Sequence, residues 1–364
     1  MKISIGSKVV EGPWGGGNLF VKNLAKYLTS KGHKVIYDLC EPEIDLILLT
    51  DPRNKLKSSS TFNHNEIKKY KKYVNKDVKV VQRINECDER KNTTSVNNLY
   101  LEASDVADKV VFVSSWLKDI YIKLGLQESK SKVILAGADS NIFNSDNSLE
   151  WNYKEKFKLV THHWSNHKLK GFEDYKKVDE MLNLDVWRDK IEFTYIGNMN
   201  DNYSFNNINI LEPLSGKHLA NELKNHHFYL TSSINEPSGN HHIEAAQCGL
   251  PIIYRLSGGI PEYCNGFGVG YQDSVEDAIN LAINNYKEYK STINKYPNNS
   301  IKMSAEFLEL FESLVGNLKL NQKFSRTQFG RAYLEVLKFK KNMITIYVII
   351  YDFARKIKRT ISSR

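Results

Sequence analysis

Residues 227–263 read HFYLTSSINEPSGNHHIEAAQCGLPIIYRLSGGIPEY, and the rest of the chain can be placed around them. Phe228 to Thr231 is an apolar run with the length of a buried strand, and it breaks into the polar, turn-forming Asn235-Glu236-Pro237-Ser238-Gly239. Ile243, Ala246 and Gln247 then recur at helical spacing, Gly249 and Pro251 end the helix, and Pro251 to Tyr254 reads as the next strand. Strand, loop, helix, strand is the unit of an open α/β sheet, whose ligands bind beyond the carboxyl ends of the strands, where this loop lies. The backbone N–H groups of Ser238, Gly239, Asn240 and His241 open the helix and favour an anion such as a diphosphate. Glu236 precedes the helix and Glu244 lies on it, some ~9 Å from its start at 1.5 Å rise per residue. The two acids are too far apart to act on one atom, and they read as contacts to two ends of one extended ligand. A carboxylate accepts from both hydroxyls of a ribose or hexose diol, which is the usual way to hold one.

Two glutamates at this spacing occur by chance in many helical proteins, so the surrounding elements carry the weight. Glu236-x7-Glu244 is followed by Ala245-Ala246, by Gly249-x-Pro251 and by Gly258-Gly259-Ile260-Pro261-Glu262. This set is similar to the signature of retaining glycosyltransferases with the GT-B fold, in particular family 4. The resemblance implies that Glu236 faces the donor sugar and Glu244 holds the nucleotide ribose. Oxygens aimed away from the gap between the domains, or plugged into local salt links, would overturn that assignment.

A chain of 364 residues accommodates two domains of ordinary size. With 41% apolar and 26% charged residues it has the composition of a soluble globular protein. No stretch approaches the roughly 18 to 20 apolar residues needed to span a bilayer. The start, MKISIGSKVV, reads as a first strand and not as an export signal, so a cytoplasmic location is expected. Cys40, Cys87, Cys248 and Cys264 are scattered without C-x-x-C spacing, arguing against a zinc site or a disulfide framework. The net charge of +9 is unevenly spread: positions 318–364 hold 12 basic residues against Glu335 and Asp352, leaving about −1 for the remainder. The basic character belongs to the tail, which weakens a nucleic-acid reading of the whole protein.

The first half opens as a βαβ unit. Lys2 to Gly6 is a strand, Gly12-Pro13-Trp14-Gly15-Gly16-Gly17-Asn18 a loop, Phe20 to Leu28 an amphipathic helix and Lys34 to Leu39 a strand. The third glycine of a dinucleotide fingerprint is missing, Phe20 standing in its place. Gly15, Gly16 and Gly17 serve either a phosphate or sugar contact or simply a tight turn; the resemblance makes them the glycine loop that lies across the cleft from the donor phosphates. Ile44 to Thr50 and Val78 to Ile84 are further strands, the latter ending in Asn85-Glu86-Cys87-Asp88-Glu89-Arg90-Lys91. Polar residues massed at a strand end mark a cleft wall, making Arg83, Asn85, Glu86 and Asp88 acceptor-side candidates against an equally plain surface loop. Helix Val96 to Val106, strand Lys109 to Val113, a helix to Leu124 and strand Lys132 to Leu135 follow. Ala136-Gly137-Ala138-Asp139 with Phe143 resembles the family's exit from its first domain, and aperiodic Asn141 to Tyr153 marks the boundary.

The second half repeats the pattern. Lys158 to His163 is a strand, and the loop from Trp164 to Phe172 carries Ser165, Lys168 and Lys170-Gly171. The resemblance puts an Arg and a Lys on the donor diphosphate here. Lys170 matches, while the Arg position falls on Ser165, so Lys168, His163 or His167 becomes a candidate substitute; ordinary solvated lysines are the alternative. Strands Ile191 to Ile196 and Ile208 to Leu211 follow, and Glu212-Pro213-Leu214-Ser215 caps the helix Gly216 to Lys224. The resemblance places the nucleobase near Pro213 and Leu214. Beyond the central unit come strand Gly266 to Tyr271, a helix Ser274 to Tyr289 and an amphipathic helix Ser304 to Val315.

The expected architecture is α/β of GT-B type: two Rossmann-like α/β/α domains facing a cleft. Residues 1–145 form the acceptor side, 154–317 the nucleotide-sugar donor side and 318–364 a basic amphipathic helical tail. In the tail, Met343 to Tyr351 is apolar and flanked by Lys338, Lys340, Lys341 and by Arg355, Lys356, Lys358, Arg359. Such a helix either lies on an anionic membrane leaflet or crosses back onto the first domain. The expected activity is metal-independent transfer of a sugar, with retention, from a nucleotide-diphosphate sugar to a glycan or lipid-linked acceptor in cell-surface polysaccharide or glycolipid synthesis. Glu236 and Lys170 are the expected catalytic residues, with Glu244, Ser238, Gly239, Asn240 and His241 on the donor and no cofactor beyond it. A membrane-docked binding protein without turnover and a nicotinamide-dependent oxidoreductase are the alternatives.

Overall fold

The computed structural model describes residues 1–10, 16–53, 59–316 and 329–343. Its first domain comprises β1 (Lys2–Ile5), α1 (Gly16–Ser30), β2 (Lys34–Ile36), β3 (Leu46–Leu49), α2 (His64–Tyr73), β4 (Lys79–Ile84), α3 (Val96–Ala103), β5 (Lys109–Phe112), α4 (Ser115–Lys123) and β6 (Ser131–Val133). The six strands are all parallel, in the order β2-β1-β3-β4-β5-β6. Parallel strands covered by helices on both faces bury every side chain, which is why β3 is an unbroken apolar run and not an alternating one. Leu46 and Leu48 face α1, whereas Ile47 and Leu49 face the cluster containing Ile67, Tyr100 and Leu117.

The second domain comprises β7 (Phe157–His163), α5 (Phe172–Met181), α6 (Asp185–Arg188), β8 (Ile191–Gly197), β9 (Asn209–Leu211), α7 (Gly216–Leu223), β10 (Phe228–Thr231), α8 (Asn240–Gln247), β11 (Ile252–Arg255), α9 (Ile260–Cys264), β12 (Gly268–Tyr271), α10 (Val275–Asn284) and α11 (Tyr286–Ile293). Its strands run in parallel in the order β12-β11-β10-β7-β8-β9. The chain therefore winds outward one way from β7 through β8 and β9, and the other way from β10, so that the order reverses between β7 and β10. That reversal opens a crevice beyond the ends of these two neighbouring strands.

Three elements depart from the sequence expectation. The helix expected over Ser274 to Tyr289 is broken into α10 and α11 at Asn285, whose side chain and backbone N–H both donate to the Leu281 carbonyl, at 2.9 and 3.1 Å. Ser215 does precede α7, but its hydroxyl makes no capping bond. The last expected helix starts earlier, as α12 (Ser300–Val315), and although its sequence falls within 154–317 it packs on the first sheet. Met303, Phe307, Leu310, Phe311 and Val315 join Phe20, Val21 and Leu24 of α1 in one core, with the rings of Phe20 and Phe307 at 5.2 Å. An amphipathic helix goes wherever an apolar face is uncovered, and α1 leaves that flank of the first sheet open. A further helix, residues 329–343, also returns to the first domain: Leu334 and Leu337 are buried in its core, Tyr333 meets Tyr73 and Lys341 pairs with Asp38 at 2.7 Å. The cysteines are free, with Cys87, Cys248 and Cys264 buried.

Candidate active site

The crevice between β7 and β10 is walled by the two loops that leave those strands, the first carrying Trp164 to Lys170 and the second Ser232 to Gly239. Gly171 holds them together. Its φ of +93° is left-handed, and a Cβ there would sit 2.4 Å from that of Ser232, so only glycine lets the loops touch. Gly258, at φ +65°, plays the same part for the β11–α9 turn, whose backbone approaches Glu236 too closely for a side chain. Asn235 takes a left-handed φ of 52° without being glycine, a strain that the surrounding bonds sustain: its amide donates to Ser257 Oγ at 3.0 Å.

Glu236 is buried, 5% exposed, and its carboxylate meets a cation on each oxygen. Lys170 Nζ donates to Oε2 from the same domain, and Arg90 Nε lies 3.1 Å from Oε1 across the cleft. Arg90 in turn donates to Glu86 Oε2 at 3.0 Å, with Lys91 at 3.6 Å from the same oxygen. Burial alone would raise the Glu236 carboxyl, but Arg90 and Lys170 overcome it and hold the group well below the usual carboxylate range. Burial first, and the neighbouring Arg90 second, lower Lys170 against the pull of Glu236. Glu236 is thus engaged by ion pairs on both oxygens, whereas the sequence reading required those oxygens to be clear of local salt links. A carboxylate nonetheless carries about four lone-pair sites, so two cations leave acceptor capacity on each oxygen.

Glu244 projects from α8 to His162 of β7, Nε2 to Oε2 3.1 Å, and its Oε1 has no partner among the described residues. The two acids thus have separate partners, Lys170 and Arg90 for Glu236 and His162 for Glu244. Between them in the chain, His241 bonds Thr231 through Nε2 at 3.0 Å and packs edge-on against His163 at 4.8 Å. His242 is sealed, with neither ring nitrogen bonded among the described residues, and burial pushes it down to about 3, so it is neutral at physiological pH. The N-terminus of α8 begins at Gly239, φ +78°, with no side-chain cap and no acidic residue in the first turn. Its first N–H groups have no side-chain cap, and the Glu236 side chain lies against Gly239 at this positive end.

Other expected residues lie differently. Ser165 accepts from the His167 amide at 3.3 Å and so closes its own turn, and the cation that stands beside Lys170 is Arg90. Lys168 is exposed and lines an open depression of about 400 Å³ with Asn166, His167, Asn200, Asp201 and Asn202, away from Glu236. Leu214 packs against the core beneath α8, and Pro213 beside it is half-buried. Gly15 lies outside the described residues. Gly16 abuts Asn240, its would-be Cβ 2.9 Å from Nδ2, so the starts of α1 and α8 meet across the cleft, while Gly17 faces open space. Asn85 is half-buried at the first domain's wall, Glu86 Oε1 is buried without a partner among the described residues, and Asp88 accepts from the Val96 and Asn97 amides to hold the start of α3. Arg90 is the residue the sequence reading passed over. It stood in the quoted strand-end run, but only the apposition of the domains shows that it reaches Glu236.

Further contacts fix that apposition. Glu262 accepts from the Ser115 amide at 2.6 Å and so caps α4 from the other domain, and Tyr263 donates to the Val113 carbonyl while accepting from Ala136 N at 2.9 Å.

Two doubly wound parallel sheets with their crevices facing each other define the GT-B architecture. The chain is similar in structure to HepE (Alr3699) of Anabaena, solved with UDP and glucose, at 15% identity and TM-score 0.63, covering 86% of this chain and 100% of that one. A glycosyltransferase from Rickettsia africae matches at 17% identity and TM-score 0.58, over 87% and 99% of the two chains. Sucrose-phosphate synthase from Thermosynechococcus elongatus matches at 15% and 0.58, over 86% and 98%. At such identities the likeness establishes the fold. No family model matches the chain, and no curated protein matches it in sequence.

Proposed function

We propose that the protein is a glycosyltransferase of the retaining, family 4 type, which takes a sugar from a nucleotide-diphosphate donor held by the second domain and passes it to an acceptor held by the first. The observation that carries this reading is the gathering of Lys170, Arg90 and the uncapped start of α8 around Glu236, at the switch point of the second sheet. Departure of the diphosphate is the step in which charge develops, and those cations and amides stand ready to stabilise it. Glu236 orients the transferred sugar through its remaining lone pairs, and the free oxygen of Glu244 accepts from the ribose hydroxyls. The fold it shares with a protein crystallised with UDP and glucose supports the donor class. Retention follows from attack on the face the diphosphate leaves. Metal independence is part of the proposal, since Lys170 and Arg90 supply positive charge of the kind a divalent ion would otherwise bring; undiminished turnover in chelator checks it.

The acceptor proposed is a glycan or lipid-linked precursor of a cell-surface polysaccharide, reached from a peripheral position on an anionic membrane. Supporting this, the helix 329–343 buries Leu334 and Leu337 yet leaves Phe329, Val336, Phe339 and Met343 exposed along its opposite side, beside Lys338 and Lys340. The decisive experiment compares hydrolysis and transfer from UDP-, GDP- and ADP-sugars by the wild type, Glu236→Gln and Lys170→Ala. Each variant is expected to stay folded and to lose on the order of 10² to 10³ in kcat. Undiminished turnover in both removes the assignment.

A further inference from the structure

Arg83 is the buried cation that the donor site does not use. It lies in β4, whose side chains alternate: Val81 faces α1, and Arg83, two residues on, shares that face at the carboxyl end of the strand. The side chain is 5% exposed, and its guanidinium stacks on the ring of Phe20 with 3.9 Å between the central carbon and the ring centroid. Phe20 belongs to the second turn of α1, and helical side chains lean toward the N-terminus, which directs the stacked guanidinium toward the first turn, where Gly17 faces open space. No acidic residue stands in that turn. Burial lowers Arg83 to about 10, so it stays charged at neutral pH, and the groups that pull the other way are the phenols of Tyr263 and Tyr100.

This guanidinium has five N–H donors and makes no hydrogen bond or ion pair among the described residues. Every other buried cation nearby is matched: Lys170 and Arg90 by Glu236, and Arg90 again by Glu86. A desolvated charge without a partner is unfavourable, and the stacking on Phe20 offsets only part of that. A positive helix end and a guanidinium unmatched among the described residues, both on the first domain's wall, suit an incoming anion. The diphosphate-binding groups described above belong to the second domain and to Arg90, and the first domain's wall is the side that the transferase reading gives to the acceptor.

Resting on the transferase reading, we propose that the acceptor is an anionic molecule and that Arg83, directed toward the first turn of α1, pairs with its phosphate or carboxylate. The charge then serves specificity: a neutral acceptor leaves the guanidinium unmatched, whereas an anionic one brings its own partner, bidentate in the manner guanidinium favours.

The test uses the full-length protein and inorganic phosphate as the probe. UDP, GDP and ADP are first titrated calorimetrically to find the nucleoside diphosphate that binds; orthophosphate is then titrated into protein saturated with it, so that the donor site is closed to the probe. Wild type is expected to bind orthophosphate, and Arg83→Met to bind it about tenfold more weakly or worse. Nucleoside diphosphate affinity is expected to be the same in both. Arg83→Met should melt no lower than the wild type, because replacing an unmatched buried charge by an apolar side chain of similar length removes a penalty. Equal orthophosphate affinity in the two proteins overturns the proposal, as does a fall in nucleoside diphosphate affinity, which would assign Arg83 to the donor. Should Arg83→Met fold poorly, Arg83→Lys decides: weaker orthophosphate binding with unchanged melting supports the site, and unchanged binding rejects it. If none of the nucleoside diphosphates binds the wild type, the transferase reading fails and takes the acceptor assignment with it; if one binds and orthophosphate does not, only the acceptor assignment falls.

Discussion

Arg90 links the two halves of the site: it leaves the first domain after β4, pairs with Glu86 on its own side at 3.0 Å and meets Glu236 on the other at 3.1 Å. Two functions follow from one position. The guanidinium holds Glu236 ionised and oriented, and it places a second cation beside Lys170, where Ser165 is too short and too occupied with its own turn to act. Removing it leaves two buried carboxylates short of a counter-ion. Arg90→Ala is therefore expected to lower kcat by about 10² and to weaken donor binding, while Arg90→Lys, charged but not forked, recovers only part of the loss. Steady-state kinetics on both variants check this, and an Arg90→Ala enzyme as fast as wild type would show that the cross-cleft pair is a docking contact alone. The placing of Glu236 before α8 and of Glu244 on it was legible in the sequence because their spacing is local. Arg90 was not, because its partner lies 146 positions away.

At the scale of elements, the helix 329–343 has two faces with two chemistries. Leu334 and Leu337, three apart, fit the first domain's core, and Phe329, Val336 and Met343, seven apart, run along the opposite side with Phe339 between them. The sequence offered membrane contact and packing back as alternatives for this tail; the described part of the helix does pack back, and the face it leaves uncovered is apolar with lysines beside it. Deletion of residues 338–364 removes Phe339, Met343 and the flanking lysines while sparing both buried leucines. The truncated protein is expected to melt as the wild type does and to lose flotation with vesicles of anionic phospholipid at low salt. Leu337→Ala, by contrast, should cost about 2 kcal/mol of stability and leave vesicle binding intact. Full-length protein that ignores such vesicles would sink the membrane part of the proposal.

For the molecule as a whole, the second domain buries histidines in neutral form. Burial pushes His226 and His227 down to about 4 and His242 to about 3. Unfolded, each titrates near pH ~6.5 and binds a proton that the folded chain refuses, so stability rises with pH between the two values and falls on acidification. Each contributes about 1.4 kcal/mol per pH unit inside that window. Glu236 acts later and with the same overall direction: its depressed carboxyl stabilises the fold fully above the unfolded value near pH ~4.3 and less as the pH drops below it. Chemical denaturation at pH 7 and pH 5 is expected to show a marked loss at the lower pH, before most carboxylates titrate, and His226→Gln with His227→Gln to reduce it. A flat profile between these values would contradict the neutral burial of the pair.

The sequence by itself determined the two sheets, the loops at their carboxyl ends and the two glutamates on either side of a helix start, because apolar runs, glycines and helical spacing are properties of neighbours along the chain. It missed the break at Asn285 and the domain to which α12 belongs, since a local bond decides the first and an uncovered face elsewhere decides the second. Only the tertiary structure decided which side chains meet across the cleft: Arg90 with Glu236, Tyr263 with Val113, and Arg83 with no partner among the described residues. Charge pairing inside a protein depends on distance and burial, and for groups on different domains both are set by how the domains face each other.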